Sequence, residues 1–368
     1  MGEVHSTSDV AVIGAGIVGL STAYALQRSG LTVTMYDSGP PGGGQSVGAS
    51  RLFRHAHDDP RMVDLAVEAR VLWDQWSDEF GTELISADGS IALGEVAAGR
   101  VDTLRSRSGI PVRHLSGDEL CSLMPILADY EGPAVFDERA GAIRTQAAIG
   151  ALANSLATPV VTDHVLALRP LGDAGVEIRA GSNASVHSDV VVCAGRGTAH
   201  LAAGIGLTLP VKVTAHARAS FRVRDGALAA LPNLQDGSGV FEEAGVYAAA
   251  HPDRSALGLG IALEVETDDA GAVADPDSLA GLVDRAAAYV ARALPGLDPE
   301  PLQPISCWIT TLPWGDDGVA IWQADHIFVL AGHNLFKHAP VLGETLARSV
   351  TAGSVPELFR PESMLGGG

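Results

Sequence analysis

Cysteine is scarce. Cys121, Cys193 and Cys307 stand far apart in 368 residues, too few and too scattered for a disulfide framework or a set of zinc ligands. A reducing, cytoplasmic setting and no metal are therefore expected. Long hydrophobic runs are also missing: no stretch approaches the roughly 20 apolar residues that a membrane-spanning helix needs. The polar start MGEVHSTSD lacks the basic region of a signal peptide. Basic residues are outnumbered, 24 against 44 acidic, for a net charge of −20, which argues against nucleic acid or an anionic membrane as a partner. Any anionic ligand must then be held by a few local cations in a repulsive field.

What is present is apolar and glycine-rich. Hydrophobic residues make up 46% of the chain and charged ones only 18%, so folded domains are expected, and the length suggests two of them. No internal repeat interrupts this reading.

The most informative stretch lies near the N-terminus. An apolar strand over 10–13 precedes Gly14-Ala-Gly16-Ile-Val-Gly19, a helix pattern over 17–28 follows, and a second strand closes on Asp37. Gly14 permits a tight turn, Gly16 lets the backbone approach a pyrophosphate, and Gly19 lets the helix pack closely on the strand. The helix N-terminus then faces the phosphates. Asp37 is placed to accept from the ribose hydroxyls, and its charge repels a 2′-phosphate. The pattern therefore predicts FAD or NAD, not NADP.

Past a glycine-rich loop at 38–46 come Arg51 and Arg54, three apart as on one side of a helical turn. An amphipathic helix is expected over 60–80, a hairpin over 84–93 around Asp88-Gly89, and a short capped helix from 117. Strands are expected over 160–168, 176–180 and 186–193, then from 211 a series over 211–223, 239–250 and 256–265. Helices over 144–156, 279–294 and 340–352 and strands over 305–311 and 326–331 complete the reading. An R-x-x-R pair is ordinarily a surface feature. Beside a nucleotide loop in so acidic a chain, Arg51 and Arg54 instead read as ligand-binding.

These segments, in this order, resemble the flavin-dependent amine oxidases of the monomeric sarcosine oxidase and N-methyltryptophan oxidase family, within the D-amino-acid oxidase and glycine oxidase superfamily. Ser50-Arg51-Leu-Phe-Arg54-His-Ala resembles the family's T-R-I-I-R-H-A. Gly117-Asp-Glu resembles its G-D-E turn, and Val191-Val-Cys-Ala194-Gly195 its second flavin-side strand and turn. Cys307-Trp-Ile309-Thr resembles C-x-Y-T, and Phe336-Lys337 with Gly343-Glu344 matches F-K-x-x-x-x-x-G-E.

The resemblance implies an α/β fold in which a Rossmann-like FAD-binding domain (1–82, 144–211 and 311–368) is interleaved with an α+β substrate domain (83–143 and 212–310) containing a large antiparallel sheet. It implies FAD as cofactor, with a possible thioether from Cys307 to the flavin; the alternative for Cys307 is a buried small side chain. Arg54 and Lys337 are implied to hold a substrate carboxylate, and Arg51 to lie against the flavin. Ser50, Val165 and Gly332 join Gly14, Gly16, Gly19, Asp37, Ala194, Gly195 and Lys337 as expected cofactor contacts.

The chain also departs from the pattern. Gly258 stands where the family has a lysine used to activate oxygen, Ile261 and Ala262 replace a tyrosine and a histidine, and Ile309 replaces another tyrosine. A larger, more apolar substrate pocket at Gly258, Ile261 and Ile309 is expected, with Tyr247 either facing substrate or serving as a core tyrosine. The implied reaction is FAD-dependent oxidation of a secondary amino acid, with molecular oxygen as acceptor. An N-carboxymethyl amine with a bulky apolar substituent is the leading substrate class, giving amine, glyoxylate and hydrogen peroxide. Three alternatives stay open: a flavin dehydrogenase using another acceptor, a cyclic imino acid oxidase, and a redox-silent flavin-binding protein.

Overall fold

The structure is a computed structural model that describes residues 5–6, 8–108, 110–268, 271–302 and 304–367. After the short β1 (His5–Ser6), β2 (Val10–Ile13) is buried along its length, α1 (Ile17–Arg28) follows the glycine turn, and β3 (Val33–Asp37) closes the unit. β4 (Ser50–Phe53) leads to Asp59, whose carboxylate accepts from the Arg61 amide and caps α2 (Pro60–Glu79). The apolar spacing of α2 buries Met62, Leu65, Ala69, Trp73 and Trp76.

The chain continues through β5 (Ser90–Leu93), α3 (Glu95–Gly99), α4 (Val101–Ser108), β6 (Val112–His114) and α5 (Gly117–Leu123). α5 carries the reciprocal Ser116–Glu119 capping box that its sequence predicts. β7 (Ala134–Asp137), β8 (Gly141–Arg144), α6 (Thr145–Ser155), β9 (Val161–Thr162), β10 (Val165–Pro170), β11 (Val176–Ala180), β12 (Asn183–His187), β13 (Asp189–Val192) and α7 (Thr198–Ala203) follow. Then come β14 (Lys212–Arg222), β15 (Asn233–Asp236), β16 (Val246–Ala250), β17 (Ala256–Ile261), β18 (Val265–Glu266), α8 (Pro276–Ala293) and β19 (Ile305–Thr311). β20 (Val319–Ala324), β21 (Ile327–Gly332) and α9 (Ala339–Ala352) end the regular elements.

Two sheets organise the molecule. The first has strand order β20-β21-β13-β2-β3-β9, parallel except for the β20–β21 pair. Its central strands are continuously apolar because both faces are covered. On one face α1 and α9 meet so closely that a Cβ on Gly343 would lie 2.6 Å from the Ser21 carbonyl carbon. On the other face Ile178 and Val165 of the β1-β12-β11-β10 sheet pack with Ala11, Ile13 and Val190.

The second sheet, of nine strands, runs β18-β14-β17-β16-β15-β5-β7-β6, with β19 also on β14. All its pairings are antiparallel except β15–β5. Tyr289 and Val290 of α8 join Phe221, Leu257, Leu259 and Ile261 in the core on one face. The opposite face looks into the space between the sheets. This is the α/β architecture expected, a Rossmann-like half interleaved with a half built on a large sheet.

Three local expectations are corrected. Residues 84–93 do not fold back on themselves: the Ser86 amide donates to the Ala142 carbonyl and the Arg144 amide to Leu84, while β5 pairs with β7 and β15. The expected strand over 239–250 begins only at Val246, because Gly239, Glu242 and Gly245 all have positive φ. Arg51 and Arg54 share no helical turn. Arg51 sits in extended β4 and Arg54 just beyond it.

Candidate functional site

A large cavity of about 1170 Å³ runs between the sheets, lined by Gly14, Gly16 and Asp37 and also by Arg54 and Lys337. It exceeds the roughly 300–1,000 Å³ of ordinary small-ligand pockets. Gly14 has φ +104°, and a Cβ there would lie 2.3 Å from the Cys193 carbonyl oxygen. Only glycine brings β2, the turn and the Cys193 backbone this close. Gly19 does not line the cavity; a Cβ on it would strike the Gly14 carbonyl oxygen at 1.9 Å, so it lets α1 seat on the turn, as its position in the motif predicts.

The α1 N-terminus opens on the cavity without an acidic residue in its first turn. The Ile17 amide donates to the Ser46 hydroxyl at 3.0 Å, a contact from the glycine-rich loop with no signal in the sequence. Asp37 accepts from the Ala15 amide at 2.6 Å with one carboxylate oxygen and from Gly39 at 2.8 Å with the other. It lines the cavity, and each oxygen keeps a second lone pair for a ligand hydroxyl. Ser50, Val165, Ala194, Gly195 and Gly332 line the same cavity.

Arg51 is held in place by three carbonyls, donating to Gln45 at 3.2 Å, to Ser50 at 3.1 Å and to Val47. It also stands over the Phe336 ring at 5.6 Å. Burial, reinforced by the nearby Arg218 charge, lowers its pKa to about 9.

The floor is the open face of the nine-stranded sheet. Strand alternation in β17 turns Gly258 to the cavity, puts Gly260 on the same face beneath Tyr247 and Arg218, and turns Leu257, Leu259 and Ile261 to the core. Ile261 is thus misplaced by the sequence reading: it is 1% exposed and packs in the core. Gly258 and Ile309 do line the cavity. So does Tyr247, whose hydroxyl bonds His216 Nδ1 at 2.9 Å. Burial raises the Tyr247 pKa to about 12 and, with Arg218, lowers that of His216 to about 3. Both are uncharged at neutral pH. Cys307, across β19–β14 from His216, receives a hydrogen bond from Arg218 Nη2 at 3.2 Å. Sequence reasoning missed Arg218.

Arg54 and Lys337, distant in the chain, converge. Both face Asp317, on the turn between β19 and β20: Arg54 Nη2 at 3.4 Å and Lys337 Nζ at 3.9 Å. His57 Nδ1 bonds the same carboxylate at 2.7 Å, as does Asn334 Nδ2. Burial works to raise the Asp317 pKa, but Lys337, His57 and Arg54 outweigh it and hold the carboxyl well below the usual range. Lys337 is fully enclosed. Burial pushes its pKa down to about 7, opposed by Asp317 and assisted by Arg54. Trp73 fixes the lysine's backbone through an indole N–H donated to the Lys337 carbonyl at 2.9 Å and stacks on Phe336 at 6.4 Å.

A family model described as DAO, FAD dependent oxidoreductase, matches residues 9–349. The chain belongs to the DAO family of FAD-dependent oxidoreductases. FAD is the cofactor of this DAO-family oxidoreductase, and the glycine cradle and the long cavity suit a dinucleotide. N-methyl-L-tryptophan oxidase of Yersinia pestis (strain Pestoides F) is 31% identical over 151 residues, 39% of this chain and 41% of that protein. The match therefore spans less than half the length of that curated relative.

Among solved structures, NikD, an unusual amino acid oxidase essential for nikkomycin biosynthesis, superposes in its open form with a TM-score of 0.84 at 19% identity over 96% of both chains. Glycine oxidase from Geobacillus kaustophilus gives 0.77 at 19% identity over 98% of each. L-proline dehydrogenase from P. horikoshii gives 0.81 at 18% identity, over 98% of this chain and all of that one. These likenesses establish the shared fold of the DAO-family chain. No described helix is long and apolar enough to cross a membrane.

Proposed function

We propose that the protein oxidises an N-substituted glycine, an N-carboxymethyl amine whose other substituent is bulky and apolar, to the free amine and glyoxylate. One water is consumed, and oxygen takes the two electrons to become hydrogen peroxide. The observation that carries this reading is the lining of the cavity. Arg54 and Lys337 stand together at Asp317, while Leu52, Ala92, Leu93, Ala97, Leu104 and Val135 line the same cavity. A carboxylate and an apolar tail are what such a combination recognises.

In this reading Gly14, Gly16 and the α1 N-terminus receive the FAD pyrophosphate and Asp37 the ribose. Arg51, Cys307 and Lys337, which line the same cavity, would hold the ring. FAD supplies the two-electron acceptor for the α-carbon hydrogen. Arg54 offers a planar fork and Lys337 a point charge to the substrate carboxylate, which fixes the position of the adjacent methylene. Neutral Tyr247 and His216 offer hydrogen bonds without adding charge, and the apolar wall excludes water from the amine substituent.

A second reading, a dehydrogenase passing electrons to another acceptor, is favoured by Gly258. The atoms nearest a Cβ there are the Ala249 carbonyl oxygen, Ser220 Oγ and His251 Nε2, with no cationic side chain among them. Oxygen uptake compared with reduction of an artificial dye separates the two. Family membership among oxidoreductases supports an enzyme over the redox-silent alternative.

The test of the carboxylate site is kinetic. Arg54→Ala and Lys337→Ala should each raise KM for an N-carboxymethyl substrate by roughly one to three orders of magnitude, as expected when one partner of a buried charge contact is removed. Unchanged kinetics in both variants would remove the assignment.

A further inference from the structure

The cationic part of the cavity already contains a carboxylate. Asp317 is fixed from two sides by the 2.7 Å contacts to His57 and Asn334. His57 is enclosed, with a side chain 0% exposed. Burial, followed by the charge of Lys337, lowers its pKa to about 3, so it is neutral and donates Nδ1–H to Asp317. Asn334 is set for its contact by a left-handed backbone, φ +55°. Asp317 is therefore a rigid part of the wall.

Its contacts to the two cations are looser. The 3.4 Å and 3.9 Å separations from Arg54 and Lys337 lie outside the ordinary 2.7–3.2 Å hydrogen-bond range. Arg54 has five N–H donors and Lys337 three, so both keep donors for a second anion while Asp317 stays in place. The charge balance is then set. With Lys337 protonated, two positive charges face one resident negative charge, and a single incoming carboxylate brings the group to neutrality. A second incoming carboxylate finds no uncompensated positive charge in this Arg54–Lys337–Asp317 group, and burying an unpaired charge is costly.

We propose that Asp317 is a specificity-determining residue, a resident carboxylate that takes up one of the two positive charges of Arg54 and Lys337 and so restricts the site to substrates with a single carboxylate. This rests on the carboxylate reading of Arg54 and Lys337 given above. It assigns Asp317 no part in the chemical step, and it adds to the apolar wall a second, electrostatic reason for rejecting anionic substituents.

The experiment compares propionate with malonate, near-isosteric probes that differ by a methyl against a carboxylate. Their binding to the FAD-loaded protein is read from the perturbed flavin absorbance. The wild type should prefer propionate, and Asp317→Asn should shift the ratio of dissociation constants toward malonate by about tenfold or more. An unchanged ratio in Asp317→Asn with full FAD content overturns the proposal, as does a wild type that binds malonate more tightly. If Asp317→Asn does not retain FAD, Asp317→Ser removes the same charge and is judged by the same ratio. Arg54→Ala separates the two levels of inference. Undiminished propionate binding there removes the carboxylate site itself, whereas lost propionate binding there, with an unchanged ratio in Asp317→Asn, removes only the role of Asp317.

Discussion

The Arg218 guanidinium donates a hydrogen bond to the Cys307 sulfur at 3.2 Å, from a neighbouring strand and on the cavity side of the sheet. The contact fixes the direction of the sulfur. If Cys307 carries the flavin as a thioether, Arg218 is the group that positions it. Acid-denatured wild type should then keep its yellow colour on the chain, Cys307→Ala should release all of it, and Arg218→Ala should slow attachment when FAD is added to apoprotein. Colour that leaves the wild-type chain would instead make Cys307 a buried small side chain.

Lys337 predicts two opposite pH trends. Its pKa falls from the ordinary 10.5 to about 7 on folding. The charged form holds a carboxylate, so propionate affinity of the wild type should be highest below about pH 7 and fall as pH rises through it. Stability should move the other way. Between about 7 and 10.5 the unfolded chain binds the proton that the folded chain has lost, so this group makes unfolding harder as pH rises across that window. Urea titrations of wild type and Lys337→Met across it provide the check, since only the wild type should show this contribution.

Much of this site was legible in the sequence, and the reason is chemical spacing. The glycine turn, Asp37, Arg54, Cys307 and Lys337 each sit in a short motif whose residue types have few other uses together. Asp317, Arg218 and Ser46 were not legible. Each acts through a contact with a separate element, 29 positions away for Ser46, 89 for Arg218 and 260 for Asp317 with His57, and nothing in its local sequence marks it. Ile261 failed for a different reason: the alternation of β17 turns odd positions to the core, and a one-residue difference decides the face. The false hairpin at 84–93 shows the same limit, since a turn signal at Asp88-Gly89 does not say which strand lies alongside.

The floor of the cavity yields a paired prediction. A Cβ on Gly258 would meet neighbours at 3.6–3.9 Å, ordinary contact, whereas on Gly260 it would lie 2.5 Å from the Tyr247 hydroxyl and 2.9 Å from Arg218 Cγ. Gly258→Ala should therefore be neutral or stabilise by up to about 1 kcal/mol. Gly260→Ala should cost about 1–3 kcal/mol by overpacking and lower kcat/KM by displacing the Tyr247–His216 pair. Denaturant unfolding of the two variants should rank them in this order; equal stabilities would contradict the crowding of Gly260 against Tyr247 and Arg218.

The most direct test is anaerobic reduction of the bound FAD by a series of N-carboxymethyl amines, from N-methyl to N-hexyl, each beside its methyl ester. The expected result is bleaching that grows more efficient with chain length for the free acids and is nearly abolished for every ester, because the esters offer no charge to Arg54 and Lys337. Equal bleaching by acids and esters, or efficiency that falls as the alkyl chain lengthens, would contradict the account.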